Sequence, residues 1–551
     1  MEEKSSPVTK ESERPAAGYG ERDLPIYPRD DENGGLVLQN VDDLKRRLSG
    51  RQIQMVTIGG SIGTALFVSI GSGLIQAGPG SLLIAFTLYS CFVGLVNNCM
   101  AEMSVFMPVS GSFVRMGSKW VDEAFGFMLG WNFFFFEAIL IPWEISALSL
   151  VLTFWRYVVI NLFAVEWYGE SEFWLSSGKV VLIVMIFSFT FITMVGGNPK
   201  HDAYGFRYWR EPGAFAEYVT TGSLGKFEGF LAALWKAAFT IVGPEYIAMI
   251  SGEAAHPRRN LKRAFKTIYW RFGVFFIGGA LACGIVIPYN DKKMIAILSV
   301  GGSDTGTAAS SPYVIAMQNL GIGVLPHVTN ALLVTSIFSA GNSYVYCACR
   351  TLYGLSLDGH APQFLRKCTK SGIPIYCFGI TMIFPFLSFL ALGSSSAQVI
   401  TWLANLTEAS SLIVYICMCT IYLFFFRALK VQGIDRSTLP YVGWCQPYCA
   451  WVGLAAMTFT VGCYGYTTLL PGWWDTGTFF SYYTMVLVCP ILYMGFKVVK
   501  KTKLVKPEEA DLVWERPTID AYEASVVEKH LSFWSEVKIM MGFGKKEGRI
   551  E

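Results

Sequence analysis

Ionisable residues interrupt the long apolar stretches of this chain. They are Glu102, Glu137, Glu144, Lys179, Lys236, Glu245 and Arg350. An ionisable group in an apolar segment is costly and is by default a functional candidate, because it must meet an opposite charge, a hydrogen-bonding group or a transported ion. The chemistry available to such residues is proton exchange, ion pairing at a gate, or binding of a charged ligand. No nucleophile–base pair or metal-ligand spacing accompanies them, which argues against an enzyme or a metal protein.

The sequence leaves open two roles for most of these residues. Glu102 and Arg350 lie near predicted cytoplasmic helix ends, where snorkelling or an inner-gate salt bridge would explain them. Glu245 could close a gate network with the inner loop, or could be a buried hydrogen-bonded residue. Glu137 and Glu144 are seven residues apart and share a helix face. Either could carry a proton.

The composition indicates a helical protein that crosses a membrane many times. The chain has 551 residues, of which 53% are hydrophobic and 15% charged, and its mean hydropathy is +0.41. These values exclude an ordinary soluble domain. Thirteen cysteines lie mostly in apolar segments, so no structural disulfide is expected.

Apolar runs long enough to span a bilayer set the predicted topology. They begin near Arg51, Ser81, Ala124, Gly178, Gly229, Phe272, Gly323, Ile373, Gln398, Pro447 and Phe479. Basic residues cluster before the first run, between later runs and after the last, which predicts that both termini are cytoplasmic. An even number of crossings is needed between the inner loops on either side, so the stretch 125–167 must supply two, with a cramped turn near 152–156. Alternatively it forms one long tilted helix with a truncated neighbour. We predict twelve spans between a disordered cytoplasmic tail (1–50) and a cytoplasmic C-terminal tail (501–551), with the transporter domain at 51–500.

Two of the predicted spans contain helix breaks. The first carries Gly59, Gly60 and Gly63, where glycine destabilises a helix. The second carries Gly243-Pro244, since proline removes a backbone donor. Close packing of small residues or a simple proline kink would explain either break alone. Breaks in corresponding spans of two halves instead favour a secondary transporter with five-span inverted repeats plus two further helices, and with ligand at the breaks.

Several motifs resemble the fungal amino-acid permeases of the APC superfamily. They are Gln54 to Phe67, Ala101-Glu102-Met103, Pro108 to Phe113, Pro142 to Ala147, Glu253 with His256 to Leu261, Pro288 to Asp291, and Ser339 to Gly354. The match extends from about Lys45 to Lys500, and 239–246 with 506–513 look most like the dicarboxylic amino-acid permeases. Two departures stand out. Ala65 replaces a family glycine, and about half a helical span is missing around 154–156.

The resemblance implies an all-α permease of the plasma membrane that imports amino acids, with proton coupling. The amides of the first break would bind the α-carboxylate, and carbonyls near Thr240 and Gly243 the α-ammonium. The expected substrate-binding residues are Gly60, Ser61, Ile62, Gly63, Thr64, Lys236, Phe239, Thr240 and Gly243. Lys179 resembles the site where a lysine ammonium replaces a sodium ion in this fold. We therefore expect Lys179 and Glu144 to couple protons, and Glu102, Glu245 and Arg350 to serve the gate.

The substrate prediction depends on Lys236, which lies two helical turns before Gly243. An ammonium there could bind the side-chain carboxylate of glutamate or aspartate, which makes acidic amino acids the best single prediction. Alternatively Lys236 pairs with a protein acid such as Glu137, or snorkels to the external interface. A broad-specificity or neutral permease, or a non-transporting sensor on the same scaffold, remain alternatives, although the short tails favour transport. We expect no cofactor and no nucleic acid, and expect the tails to meet cytoplasmic trafficking or ubiquitination machinery.

Overall fold

The computed structural model describes residues 29–30, 36–37, 44–147, 165–298, 311–369, 372–392 and 396–525. The chain divides into two units, residues 1–41 and 42–551. In the first unit the described residues form two short antiparallel strands, β1 (Arg29–Asp30) and β2 (Leu36–Val37). The described part of the second unit is helical.

Its α-helices follow one another in chain order. They are α1 (Gly50–Ser61), α2 (Ile70–Phe106), α3 (Ser112–Trp120), α4 (Glu123–Ala147), α5 (Val165–Met194), α6 (Gly222–Thr240), α7 (Pro244–Met249), α8 (Pro257–Arg271), α9 (Gly278–Val286), α10 (Lys292–Leu298), α11 (Pro312–Asn319), α12 (Leu325–Leu357), α13 (Ile375–Thr381), α14 (Ser396–Val431), α15 (Tyr448–Cys463), α16 (Thr476–Lys500) and α17 (Arg516–Ser525). Wider π-helical turns precede α2 (Ala65–Ser69) and α9 (Phe272–Ile277), and a 3₁₀ helix (Phe384–Leu392) follows α13.

Within the described residues, seven helical segments are long and apolar enough to cross a membrane. They are Ala65–Phe106, Glu123–Ile145, Glu172–Met194, Pro257–Val286, Leu325–Leu357, Asn405–Val431 and Thr476–Lys500. The first of these has 42 residues, about twice the ~20 that one crossing needs. It bends sharply at Gly78, whose φ of 74° and ψ of 167° favour glycine. The bend therefore separates the first and second predicted spans.

The eleven predicted runs all coincide with helical segments, and the protein is a polytopic all-α transporter. Two boundaries differ from the sequence prediction. Helix α5 begins at or before Val165, not near Gly178, and α8 begins at Pro257, so the basic stretch 257–263 predicted as an inner loop forms the first turns of a helix. Proline at the first helical position favours that start, because an N–H at this position would have no intrahelical partner and its loss costs no hydrogen bond. The cramped turn predicted near 152–156, which the fourth span requires, lies outside the described residues.

The segments that precede α1 and follow α16 both pack against the helical bundle. The backbone amides of Arg47 and Leu48 donate to the Glu253 carbonyl oxygen at 3.0 and 2.9 Å, and Leu48 is fully buried. After α16 the chain returns across α3, where the Trp120 indole donates to the Asp511 carbonyl oxygen at 2.9 Å. Residues 46–48, within the predicted N-terminal tail, are thus part of the packed unit.

Candidate functional site

The two predicted helix breaks are present and have nearly the same backbone geometry. Helix α1 ends at Ser61, and the next residue, Ile62, is extended with φ −118° and ψ 98°. Helix α6 ends at Thr240, and Ile241 is extended with φ −96° and ψ 98°. In each case the helix resumes within a few residues. Each break leaves carbonyl groups of one helix end and amides of the next without intrahelical partners.

The breaks lie beside each other. A Cβ atom added at Gly60 would stand 2.6 Å from the ring of Tyr246 in α7, immediately after the second break. One added at Gly243 would stand 3.9 Å from the Cβ of Ser61. The structure therefore brings together polar backbone groups that are about 180 residues apart in sequence.

Lys179 caps the first break. Its ammonium donates to the carbonyl oxygens of Gly59 at 2.6 Å and of Ile62 at 2.5 Å, and the residue is fully buried. Both acceptors lie at the C-terminal end of α1, where the helix dipole favours a positive charge. Lys179 thus fills the predicted cation position with an ammonium fixed to α5.

Glu172, which the sequence analysis did not select, lies beside the same backbone. Its carboxylate accepts hydrogen bonds from Ser176 (3.0 Å), from Asn342 (3.2 Å) and from Ser339. A Cβ atom at Gly59 would overlap this carboxylate. The signal that could have identified it is its spacing of seven residues from Lys179, which places both on one face of α5.

Glu144 occupies the amide side of the first break. One carboxylate oxygen accepts from the Thr64 hydroxyl, and the other lies 3.4 Å from the Thr64 backbone nitrogen. A Cβ atom at Gly63 would stand 2.7 Å from Glu144 Oε1 and 3.3 Å from the Tyr344 hydroxyl. The amide side of the first break is therefore occupied by a carboxyl side chain of the protein, and binding of a substrate carboxylate there stays a prediction.

A small cavity of about 20 Å³ adjoins the two breaks. Its lining residues come from both broken helices and from α4, α12 and α14: Ala65, Phe136, Leu140, Trp143, Phe239, Val242, Tyr246, Tyr344 and Ser411. Phe239 packs edge-on against Trp143, with ring centroids 5.0 Å apart. Of the predicted binding residues, only Phe239 lines this cavity directly, and the mostly apolar wall suits a ligand with an apolar portion.

Thr240, Ser61 and Glu245 use their side chains locally. The Thr240 hydroxyl donates to the Lys236 carbonyl oxygen at 2.6 Å, and Ser61 donates to the Thr57 carbonyl oxygen at 2.7 Å. Glu245 accepts from the Gly243 amide at 3.0 Å and from the Tyr415 hydroxyl at 2.9 Å. Of the two roles left open for Glu245, these contacts match the buried hydrogen-bonded residue: its carboxylate caps the second break, because an acidic group is favoured at the start of α7.

Lys236 is placed one helical turn before Phe239, beside Gly73 of α2. A Cβ atom at Gly73 would stand 3.3 Å from the Lys236 Cβ. The charge of Lys236 acts on Glu408 of α14, not on Glu137, whose carboxylate faces the Glu245 charge. Both Glu137 carboxylate oxygens lack a hydrogen-bond partner in the described part of the chain, so the protein acid associated with Lys236 is Glu408 and not the suggested Glu137.

The remaining predicted gate residues form two separate buried ion pairs. Arg350 binds Glu253 through both nitrogens, at 2.7 and 3.3 Å. Glu102 of α2 binds Arg436, at 2.7 Å from each of two nitrogens, and accepts from the Gly443 amide at 2.8 Å. The Glu102 carboxylate holds the pKa of the Arg436 guanidinium above its ordinary value. Glu102 therefore ties α2 to the segment between α14 and α15, away from the breaks.

Glu408 is the second functional candidate that the sequence analysis missed. It is 3% exposed and accepts from the Tyr464 hydroxyl at 3.1 Å. A carboxylate within the apolar run 398–431 is itself a signal of the kind that selected the other acids.

The chain is similar in sequence to known proteins. Residues 52–508 match the family model described as amino acid permease. The general amino acid permease AGP2 of Saccharomyces cerevisiae is 40% identical over 529 residues, covering 92% of this chain and 88% of that protein. The proline-specific permease of the same yeast is 36% identical (83% and 76% covered), and its dicarboxylic amino acid permease is 35% identical (87% and 81% covered).

One solved structure supports the fold. The crystal structure of the manganese transporter of Eremococcus coleocola, in complex with an aromatic bis-isothiourea substituted compound, superimposes with a TM-score of 0.50 at 12% identity. The superposition covers 89% of this chain and all of that one. At this identity the likeness concerns the fold alone.

Proposed function

The chain belongs to the amino acid permease family, and we propose that it imports amino acids across the plasma membrane together with protons. The observation that carries this proposal is the meeting of two helix breaks at a cavity, with Lys179 and Glu144 bonded to the first break. An amino acid offers a carboxylate and an ammonium, which are complementary to the amides and carbonyls that breaks leave unpaired.

Glu144 supplies a physical reason for proton coupling. A substrate α-carboxylate that binds the amide of Thr64 must displace the carboxylate now bonded to that residue. A buried carboxylate deprived of its donors is costly in the ionised form, and it becomes neutral by taking up a proton. Substrate binding and proton uptake would thereby be linked at one residue. Lys179 would hold α1 in place while this exchange occurs.

The cavity wall favours neutral amino acids with apolar side chains. Phe136, Leu140, Trp143, Phe239 and Val242 surround the space next to the breaks. Acidic amino acids, predicted from Lys236, are the second candidate, since that ammonium lies one turn from the wall. The carboxylate of Glu408 offsets its charge, however, and this weakens the attraction for a second carboxylate. The relatives do not decide the matter, because their printed names include general, proline, dicarboxylic and lysine/arginine permeases.

Uptake assays in a permease-deficient yeast strain test the proposal. Radiolabelled leucine, proline, glutamate and lysine are compared at equal concentration, with and without a protonophore. We expect accumulation of leucine or proline above the external concentration, and its loss when the proton gradient is collapsed. Surface-exposed protein that takes up none of the four would favour the sensor alternative. Accumulation of leucine that resists the protonophore would refute proton coupling.

A further inference from the structure

Two charged residues form the layer next to the cavity. Lys236 lies three residues before Phe239 on α6, and Glu408 lies three residues before Ser411 on α14. Phe239 and Ser411 both line the cavity. A spacing of three residues is about one helical turn, so each charge lies one turn from the wall. Since α6 and α14 pack against each other, the charges belong to the same layer, in the half of the bundle predicted to face outside.

The Glu408 carboxylate is only partly satisfied. It is 3% exposed, and one oxygen accepts from the Tyr464 hydroxyl at 3.1 Å. That hydroxyl also lies 2.8 Å from the Asn405 carbonyl oxygen, and its single proton is shared between the two acceptors. The other carboxylate oxygen has no hydrogen-bond partner in the described part of the chain. A buried carboxylate with unmet acceptors depends on a nearby positive charge.

Lys236 provides that charge without direct contact. Its ammonium makes no ion pair within 4.0 Å and no hydrogen bond among the described residues, although its charge acts on Glu408. The side chain next to it, Trp235, packs edge-on against Tyr464 with ring centroids 6.1 Å apart. Because Tyr464 binds Glu408, this contact fixes the distance between the two helices. The two charged residues thus lie on neighbouring helices, each one turn from the cavity wall, and they interact through their charges.

We propose that Glu408 and Lys236 are a charge-balanced pair that determines which net charge of substrate side chain the permease accepts. This inference rests on the proposed function. A substrate side chain that extends past Phe239 and Ser411 lies near an anion and a cation at the same time, so the net charge of its surroundings is zero. Neutral amino acids are accepted, whereas an extra charge on the substrate is attracted by one partner and repelled by the other. Removal of Glu408 leaves an uncompensated ammonium, and removal of Lys236 leaves a carboxyl that ionises when a cationic side chain approaches. The selection should then favour substrates whose side-chain charge is opposite to that of the remaining partner.

Charge-neutralising variants test the pair. In Glu408→Gln the free ammonium should raise the ratio of glutamate to leucine uptake at least tenfold. In Lys236→Met the free carboxylate should raise the ratio of lysine to leucine uptake by a similar factor. The double variant should return both ratios to within threefold of the wild type, because neither charge remains. Glu228→Gln is the control, since Glu228 lies on the same helix two turns away and binds Thr220 at 2.8 and 2.7 Å.

The outcomes separate the inference from the proposed function. Wild-type uptake of leucine with unchanged ratios in both single variants would overturn the pairing and leave the permease function intact. The pairing would also be overturned if the double variant kept the uptake ratio of glutamate or lysine to leucine that either single variant shows. Absence of uptake of every amino acid by the surface-exposed wild type would overturn the function itself. For a variant that fails to reach the surface, ligand-induced thermal shifts of the purified protein are measured with glutamate, leucine and lysine. The size of each shift compares binding of the three amino acids, and it should change in the same direction as the uptake ratios.

Discussion

Gly63→Ala tests whether the close approach of Glu144 to the first break is required for transport. The added Cβ would stand 2.7 Å from Glu144 Oε1 and 3.0 Å from the Ala340 Cβ. The second distance is about 0.5–1 Å short of the optimum of ~3.5–4 Å between carbon atoms. Neither neighbour moves freely, because Ala340 is fully buried on α12 and Glu144 is bonded to Thr64.

The expected size of the effect follows from the cost of overpacking. Inserting one methyl group into a well-packed site costs about 1–3 kcal/mol, which corresponds to roughly a 5- to 150-fold change in an equilibrium. We expect that loss to fall on every state in which a carboxylate, from Glu144 or from the substrate, approaches the backbone of the first break. Uptake per surface molecule should therefore fall at least fivefold in Gly63→Ala, and it should be abolished in Gly63→Val, whose branched side chain also blocks the backbone.

Initial rates of radiolabelled leucine uptake, divided by the amount of protein at the surface, measure the effect. Gly273→Ala is the matched control, because a Cβ at Gly273 meets no atom within 4 Å. That variant should transport within twofold of the wild type. If Gly63→Ala also transports within twofold of the wild type, the crowding at the first break has no functional role and the site assignment is wrong.

Three further predictions concern neighbouring residues. Lys179→Ala removes both hydrogen bonds to the carbonyls of the first break. The variant should lose proton-driven accumulation but keep measurable exchange of internal for external substrate. Full accumulation would mean that Lys179 is only a structural tether. Phe239→Ala removes the ring that packs on Trp143, so KM should rise at least fivefold while surface expression stays constant, and an unchanged KM would place the substrate elsewhere. Glu253→Gln leaves the buried Arg350 without its anion and should destabilise the protein by about 3–5 kcal/mol, seen as a lower Tm, whereas Glu509→Gln, in an exposed pair, should leave Tm unchanged.

The sequence predicted the helix breaks correctly because their causes are local. Glycines at 59, 60 and 63 and the Gly243-Pro244 step disfavour helix regardless of the surrounding fold. The spans were predictable for a similar reason, since apolar length alone decides whether a helix can cross a bilayer. Helix α8 was the exception. The sequence marked its basic first turns as a loop, but charge pattern does not prevent a helix that continues beyond the membrane.

Partners of the charged residues were not predictable, because they depend on which helices become neighbours. The sequence left open whether Glu245 reaches the inner loop or is hydrogen-bonded within the bundle, and it binds Tyr415 of α14, 170 positions away. Arg350 finds its anion in Glu253, 97 positions earlier. Spacing along one helix could identify Glu172 from Lys179, whereas nothing along the chain links Lys236 to Glu408. Pairings of this second kind require the packed structure.

The glycines of the first break show why close packing and ligand binding need not be competing explanations. Each glycine faces a side chain from another helix: Gly59 faces Glu172, Gly60 faces Tyr246, and Gly63 faces Glu144. Small residues usually allow two helix backbones to approach, but here they admit polar side chains to the broken backbone. Two of these three side chains are carboxylates, and one of them, Glu144, lies at the Thr64 amide, where the proposed function places the carboxylate of the substrate. The glycines therefore allow protein side chains to pack against the broken backbone. Under the proposed function, they also leave space for a substrate group to take the place of one of those side chains.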